Sequence, residues 1–465
     1  MRRDLNKGKV VLFYPSYEGM GKYHWFPFPY LYIGPFLEKA GFKAIIIDAR
    51  VEPDWKNKLA KAAKDALCLG ITAMTGSDIR DALEAIRICK GMNPEVLAIW
   101  GGPHATALPA ETLQSACVDI VALGQGEYVM PEIAGRIYSN KDYTDISGIA
   151  YKRNQTIYQN TKADPRPFDY DLFPGFHLIN IEKYRSPNNV ASVFTARGCP
   201  FRCTFCTAPD NNYSEKKFEQ VKNEILFIVN KLGFKNIFIQ DGTYFIKKER
   251  VMDIARFFIT SGLNIKWKAK ARVSSLLDYS KEEMILLKES GLASLFFGVE
   301  SGSEHVLERM RKHTKPEQAE RCAQICHEFG IEFYASFMFA TPSETINDLK
   351  DTINHIRRLK KINPGSVIQN CIYLPLPSTP MYKEACANGY TSPNSLEGWT
   401  GRSISSRFEE RDDITWIPSN ILSEYIKTYN EEFGVYKHLF ERELEGSYKP
   451  VFDNMTCISR SEENK

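Results

Sequence analysis

The run Arg197-Gly198-Cys199-Pro200-Phe201-Arg202-Cys203-Thr204-Phe205-Cys206 places three thiols at C-x3-C-x2-C spacing. Three soft thiolates this close can hold three irons of a [4Fe–4S] cluster and leave the fourth iron without a protein ligand. An open metal position binds a small molecule and does chemistry, whereas a fully ligated one mostly carries electrons. The competing reading is a structural zinc site. Zinc needs a fourth ligand, and neither His177 nor any distant cysteine has suggestive spacing.

Around this run the pattern alternates strand and helix through six strands. Val193–Ala196, Asn236–Gln240, Lys266–Ala271, Ser294–Val299, Glu332–Phe339 and Val367–Leu374 read as strands. Helical stretches follow the first five, among them Glu215–Lys231 and Lys281–Glu289. Six units fall short of the eight of a closed barrel, so residues 191–388 are expected to form a partial, open (β/α)6 barrel. The cysteines then follow its first strand, at the end where such barrels place chemistry.

Residues 1–150 show a separate α/β alternation. Val10–Tyr14, Ala44–Asp48, Leu67–Ile71, Val96–Trp100 and Ile120–Leu123 are short, uninterrupted apolar runs of the kind buried parallel strands carry. Tyr30–Ala40, Ser77–Lys90 and Tyr128–Tyr138 have helical periodicity between them. The expectation is a Rossmann-like, doubly wound sheet with its ligand beyond the carboxyl ends of the strands. Residues 151–190, with Asp164-Pro165-Arg166-Pro167 and Phe173-Pro174-Gly175, read as a linker. Residues 389–465 read as a small, mostly helical region. A helix at about Leu422–Leu444 stacks Tyr425, Tyr429, Phe433, Tyr436 and Phe440, a stripe that reads as packing against the barrel. With Trp399 and Trp416 it can wall off a substrate pocket.

Bulk properties narrow the classes. A chain of 465 residues with 43% hydrophobic and 25% charged residues is ordinary globular material, long enough for two or three domains. A net charge of +3 gives no electrostatic case for nucleic acid. No apolar run approaches the length that spans a bilayer, and Val10–Tyr14 is too short for a secretory segment. Eleven cysteines, an odd number and mostly scattered, fit a reducing compartment, so the expected location is cytoplasmic. Cys322 and Cys326, one helical turn apart beside His327, read as buried core residues. The basic tract Lys266–Arg272 alternates as a strand and need not form a nucleic-acid patch.

The cysteine run, with Gly198 before it and Phe205 ahead of the last thiol, resembles the signature of the radical S-adenosylmethionine (SAM) enzymes. The resemblance implies that the open iron chelates SAM and that the reduced cluster cleaves its sulfonium bond, releasing a 5′-deoxyadenosyl radical. It implies SAM contacts from Phe205, from Gln240-Asp241-Gly242 at the second strand end, from Arg272 to the carboxylate, and from Glu300 and Ser301. Phe339-Ala340-Thr341-Pro342-Ser343-Glu344-Thr345 looks like the family's strand-five segment, usually Gly-x-Pro-Gly-Glu-Thr, where backbone contacts SAM. Ala340 and Ser343 stand where the family has glycine.

With that core, the N-terminal part resembles the cobalamin-binding domain of the B12-dependent radical SAM enzymes. Tyr14-Pro15, the Gly70–Gly76 segment with Met74, Thr75 and Gly76, the loop Gly101-Gly102-Pro103-His104 and the loop Gly124-Gln125-Gly126-Glu127 carry the likeness. These loops are expected to hold cobalamin, with His104 at the cofactor's rim. The chain lacks the Asp-x-His pair that supplies a lower axial histidine in methionine-synthase-type domains. The resemblance implies methylation of an unactivated carbon of a small-molecule or lipid substrate, with a reductant such as flavodoxin or ferredoxin. Radical cyclisation or rearrangement, a cobalamin-free dehydratase or dehydrogenase, and a noncatalytic metal-binding module are the alternatives.

Overall fold

The computed structural model describes residues 5–16, 25–168, 172–207, 213–402, 408 and 411–433. The chain forms two compact units. One comprises the described residues up to Arg185 together with 392–402, and the other Ser186–Thr391 with the described residues from 408 onward.

In the first unit a seven-stranded sheet runs in the order β2-β1-β3-β4-β5-β6-β7. β1 (Lys9–Tyr14), β2 (Lys43–Asp48), β3 (Ala66–Thr72), β4 (Leu97–Gly101) and β5 (Ile120–Ala122) are parallel. Val10, Val11, Leu12 and Phe13 are all fully buried, because helices cover both faces. Val10 and Leu12 belong to a core with Tyr30 and Leu37 of α1 (Phe28–Lys39) and Met130 and Ile133 of α6 (Gly126–Tyr138). On the opposite face Phe13 meets Trp55 of α2 (Trp55–Ala63), whose neighbour is α3 (Asp78–Met92). The short helices α4 (Pro103–Ala107) and α5 (Pro109–Gln114) follow β4. The strand order reverses between β1 and β3, and a crevice at such a switch point is where open α/β sheets bind ligands.

The expected linker instead begins inside this sheet. β6 (Ile149–Arg153) and β7 (Thr156–Gln159) form an antiparallel hairpin on its edge. The turn is Asn154-Gln155, both left-handed at φ +48° and +64°. That geometry suits a two-residue hairpin but is normally announced by glycine, which hid it from a reading of the sequence. The region beyond Gly389 is likewise divided, since 392–402 belongs to the first unit.

The second unit is an open sheet of six parallel strands in the order β15-β14-β13-β12-β11-β8. These are β8 (Val190–Val193), β11 (Asn236–Ile239), β12 (Lys266–Ala271), β13 (Leu292–Glu300), β14 (Glu332–Phe339) and β15 (Val367–Ile372). Their crossover helices are α7 (Phe218–Asn230), α8 (Lys248–Thr260), α9 (Val273–Leu276), α10 (Lys281–Glu289), α11 (Glu304–Arg309), α12 (Pro316–Glu328) and α13 (Ile346–Ile362). Reciprocal caps set two of their starts, Ser280 with Glu283 for α10 and Thr345 with Asp348 for α13. Trp267 of β12 is fully buried against Phe258 of α8 and Tyr244, and its indole donates to Ser290 at 2.9 Å. Cys322 and Cys326 are wholly buried within α12, as core residues.

The first barrel strand lies three residues earlier than its apolar run suggests. After Val193 the chain leaves the sheet, and Ala196–Arg197 (β9) pairs antiparallel with Ser214–Glu215 (β10). Beyond β15 come α14 (Pro380–Ala387) and α15 (Ser419–Phe433). Tyr429 and Phe433 of α15 pack on Phe339, in keeping with a packing stripe. Tyr436 and Phe440 lie outside the described residues. Among the described residues no helix is long and apolar enough to cross a membrane.

Two glycines separate conformational from steric cost. Gly262 (φ +64°) has open space around it, so Gly262→Ala is expected to cost only about 1 kcal/mol. A Cβ on Gly291 (φ +93°) would overlap the carbonyl oxygen of Ile265, so Gly291→Ala is expected to cost at least about 3 kcal/mol. Chemical denaturation of the two variants checks the contrast.

Candidate functional site

The turn out of β8 is made by one carboxylate. Asp241, just past β11 and nearly inaccessible, accepts the Thr195 amide at 2.7 Å, the Ala196 amide at 3.0 Å and the Thr195 hydroxyl. Arg250 of α8 donates to the Thr195 carbonyl at 2.7 Å. Gly198 then turns at φ +76° into the cysteine loop. Gly242 faces that loop without a side chain, where a Cβ would sit 3.4 Å from the Gly198 carbonyl oxygen and 3.8 Å from Cys199 Cβ.

Thr204 anchors the middle of the loop. Its amide donates to Met310 O at 3.0 Å, its hydroxyl to Arg309 O at 3.0 Å, and its carbonyl accepts the Met381 amide at 2.9 Å. Cys206 N–H donates to Cys203 O at 3.2 Å, closing a turn between two of the thiols. Cys199, Cys203 and Cys206 all lie on this one loop, and none is part of a disulfide. Burial pushes the Cys199 thiol up, partly offset by the Phe201 amide. Among the described residues no three His, Cys, Asp or Glu side chains converge on a point, as one zinc ion would require. A four-iron cluster spreads its thiolates over separate irons, so its three cysteines need not converge on one point. His177, weighed as a zinc ligand, is paired with Glu38 at 2.9 Å in the first unit.

Arg272, buried at the end of β12, lies beside the thiols. Its Nη1 is 3.6 Å from Cys203 Sγ, its guanidinium stacks 4.0 Å from the centre of the Phe201 ring, and Nη2 donates to Lys312 O. Lys312 Nζ pairs with Glu300 at 2.7 Å and stands 5.8 Å from the Phe205 ring centre. Glu300 is left-handed at φ +69°, and Gly298 makes room for the pair, since a Cβ there would lie 3.0 Å from Lys312 Nζ. Ser301 is turned inward, bonding Thr352 at 2.9 Å and accepting the Ser303 amide. Gln240 donates to Ser192 at 2.9 Å. The structure therefore gathers Arg272, Glu300, Phe205 and Gly242 around the thiols, while Asp241 and Ser301 spend their polar groups on the protein. Lys312 and Thr204 gave no signal in the sequence beyond their place in loops.

In the first unit the loops after β3, β4 and β5 carry the residues expected to hold cobalamin. Gly102 (φ +90°) sits where a Cβ would come within 2.5 Å of Thr72 Oγ1, and Gly124 (φ +92°) faces open space. Gly101 closes β4, Pro103 opens α4, and Gly126 and Glu127 begin α6, with Gly126 packed against Ile33. Met74 is 54% exposed, an apolar side chain left standing at the strand ends. Asp78, which sequence reading passed over, accepts the Met74 amide at 2.5 Å, and burial pushes its carboxyl up to about 7. Bare glycine backbone, open space and an exposed apolar side chain suit a large, flat cofactor such as a corrin.

His104 does not stand at a rim. It is fully buried, its Nδ1 3.1 Å from Thr75 Oγ1 and its ring edge-on to Trp399 at 5.5 Å. Trp399 donates to Glu111 at 2.6 Å, and Arg402 O comes so near Gly76 that a Cβ there would be 2.8 Å away. Residues 392–402 thus brace the loop that sequence reading assigned to cobalamin.

Two family models match these halves: the B12 binding domain over residues 21–134 and the radical SAM superfamily over residues 193–356. An uncharacterized methyltransferase of Pyrococcus horikoshii is 30% identical over 354 residues, covering 74% of this chain and 75% of the relative. The chain belongs to the B12-dependent radical SAM enzymes. Membership brings a [4Fe–4S] cluster, SAM and cobalamin as cofactors, and a need for a reductant. The anaerobic magnesium-protoporphyrin IX monomethyl ester cyclase of Rubrivivax gelatinosus is 27% identical over 81% of this chain and 70% of its own. In fold, the chain is similar to the radical SAM methyltransferase TsrM of Kitasatospora setae, solved with cobalamin and a [4Fe–4S] cluster. The TM-score is 0.70 at 19% identity, covering 84% of this chain and 80% of that one.

Burial pushes the His104 imidazole down from 6.5 to about 4. Between those values the unfolded chain binds a proton that the folded state refuses. The stabilisation is therefore complete above pH 6.5 and is lost as the pH falls towards 4. From pH 7 to pH 5 the wild type should lose about 2 kcal/mol more than His104→Phe, as read by denaturant titration at both pH values.

Proposed function

We propose that the protein is a cobalamin-dependent methyltransferase that alkylates an unactivated carbon of a small-molecule or lipid substrate. The observation that carries this reading is the pairing, in one chain, of a three-thiol loop in a radical SAM domain with a B12 binding domain. When bound, the cluster with SAM supplies a 5′-deoxyadenosyl radical for hydrogen abstraction, and cobalamin supplies the methyl group.

The chain's own residues do the positioning. Cys199, Cys203 and Cys206 hold the cluster, with Thr204 keeping the loop from shifting. Arg272 places a positive charge against the Cys203 sulfur and at the edge reached by the carboxylate of SAM. Glu300, paired with Lys312 at 2.7 Å, would offer its carboxylate as an acceptor to the amino or ribose groups of SAM. Gly242 leaves the loop's inner side open. In the first unit Met74 would offer an apolar contact to the corrin, and the Gly101-Gly102 and Gly124 backbones would help to hold it. The name of the Pyrococcus horikoshii relative supports methyl transfer. The length of the match to the Rubrivivax gelatinosus cyclase favours radical cyclisation as the second reading.

Anaerobically reconstituted protein, incubated with SAM, cobalamin, reductant and candidate substrates, separates the two. Methyl transfer predicts S-adenosylhomocysteine together with 5′-deoxyadenosine. Deoxyadenosine without S-adenosylhomocysteine contradicts methyl transfer and supports cyclisation. Cys203→Ala is expected to lose bound iron and sulfide and, with them, SAM cleavage by at least about a thousandfold. Retained cleavage in that variant would contradict the ligand assignment.

A further inference from the structure

The loop leaving β14 holds two residues in a backbone conformation that glycine takes easily and other L-residues avoid. Ala340 is at φ +57° and Ser343 at φ +64°. A side chain in this region brings Cβ against the neighbouring carbonyl, so the conformation persists only where surrounding groups impose it.

Ala340 is gripped at both ends of its residue by the C-terminal part of the unit. Its amide donates to Tyr425 Oη at 2.9 Å, and its carbonyl accepts the Trp416 indole N–H at 2.8 Å. Tyr425 in turn donates a hydrogen bond to Glu344 Oε1 at 2.7 Å. The other oxygen of Glu344 accepts the Thr341 amide at 2.8 Å and the Thr341 hydroxyl at 3.0 Å. Ala340 and Tyr425 are fully buried, and Trp416 and Glu344 nearly so. Water therefore cannot replace any of these bonds when one is removed.

The same loop is tied to the thiols. Ser343 Oγ lies 3.3 Å from Arg309 Nη2 and donates to Glu384 at 3.0 Å. Arg309 and Met310 supply the carbonyls that fix Thr204, between Cys203 and Phe205, and the amide of Met381 fixes its carbonyl. A continuous set of hydrogen bonds thus runs from α15, through residues 340–344 and Arg309, to the cysteine loop.

We propose that Tyr425 and Trp416 are positioning residues for SAM: they impose on Ala340 the backbone shape that glycine would adopt unaided, and so hold the β14 loop against the cofactor. The proposal rests on the reading that SAM binds at the thiol loop. It also gives the C-terminal segment a task in cofactor binding, separate from any part in enclosing substrate.

The test measures SAM affinity of the anaerobically reconstituted full chain by equilibrium dialysis, with iron content and melting temperature recorded separately. Tyr425→Phe keeps the ring and removes both hydroxyl bonds. It should weaken SAM binding about tenfold while iron content stays at the wild-type level. Ala340→Gly alone should change affinity by less than about threefold, since glycine accepts the observed φ. In the Ala340→Gly background Tyr425→Phe should weaken binding by no more than about threefold, because the imposed conformation is no longer costly. Wild-type affinity in Tyr425→Phe overturns the proposal, and so does a loss that is equal in both backgrounds. Should Tyr425→Phe fail to fold, Trp416→Phe, which removes the bond to the Ala340 carbonyl and keeps a smaller aromatic ring beside Tyr373 and Tyr390, is held to the same outcomes. A wild type that carries its full cluster and binds no SAM overturns the underlying reading of the thiol loop instead.

Discussion

The buried carboxylate of Asp241 is what turns a barrel strand into a metal-binding loop. By taking the amides of Thr195 and Ala196 and the Thr195 hydroxyl, it satisfies donors that would otherwise extend the β8 ladder. The chain is thereby bent out of the sheet two residues after Val193, and Gly198 reaches the position that Gly242 leaves clear. Three thiols on a short, irregular loop would wander without such fixed ends. Thr204 supplies the second fixed point, using its amide, hydroxyl and carbonyl on three separate partners. Preorganisation of this kind matters in a radical enzyme, where the protein contributes position and exclusion while the cofactors carry the chemistry.

The first unit solves a different problem with similar means. Where its strand-end loops run close together, glycine is used because a side chain would strike a neighbour, as at Gly102 against Thr72. Loops without side chains have little packing of their own. Here the return of residues 392–402 provides it, through Trp399 against His104 and through its bond to Glu111. The C-terminal part of the chain thus braces a cofactor-side loop in each unit separately.

Much of this was legible in the sequence where local rules govern. Lys266–Ala271 and Glu332–Phe339 were read to the residue, because each is an alternating or β-branched run bounded by turn residues. Lys281–Glu289 was equally clear, and in the structure the Ser280–Glu283 capping box sets its start. Val193–Ala196 misled, since the apolar run continues past the point where Asp241 ends the pairing. The hairpin at Asn154-Gln155 was hidden by its lack of glycine. Asp241 and Ser301 look like ligand residues in a one-dimensional pattern, but only the structure shows their polar groups already engaged. Trp399 and Glu111 are 288 residues apart, and Tyr425 and Glu344 are 81 apart, so no local signal could pair them. The cysteines themselves were unmistakable, because their spacing is the chemistry.

The central claim is that these three thiols leave one iron open and that SAM occupies it. Electron–nuclear double resonance on the reduced, reconstituted protein, with SAM labelled by nitrogen-15 at its amino group, tests it directly. The account predicts a resolved nitrogen-15 coupling to the cluster that is absent with unlabelled SAM. A reduced [4Fe–4S] signal that shows no coupling under saturating labelled SAM would contradict it.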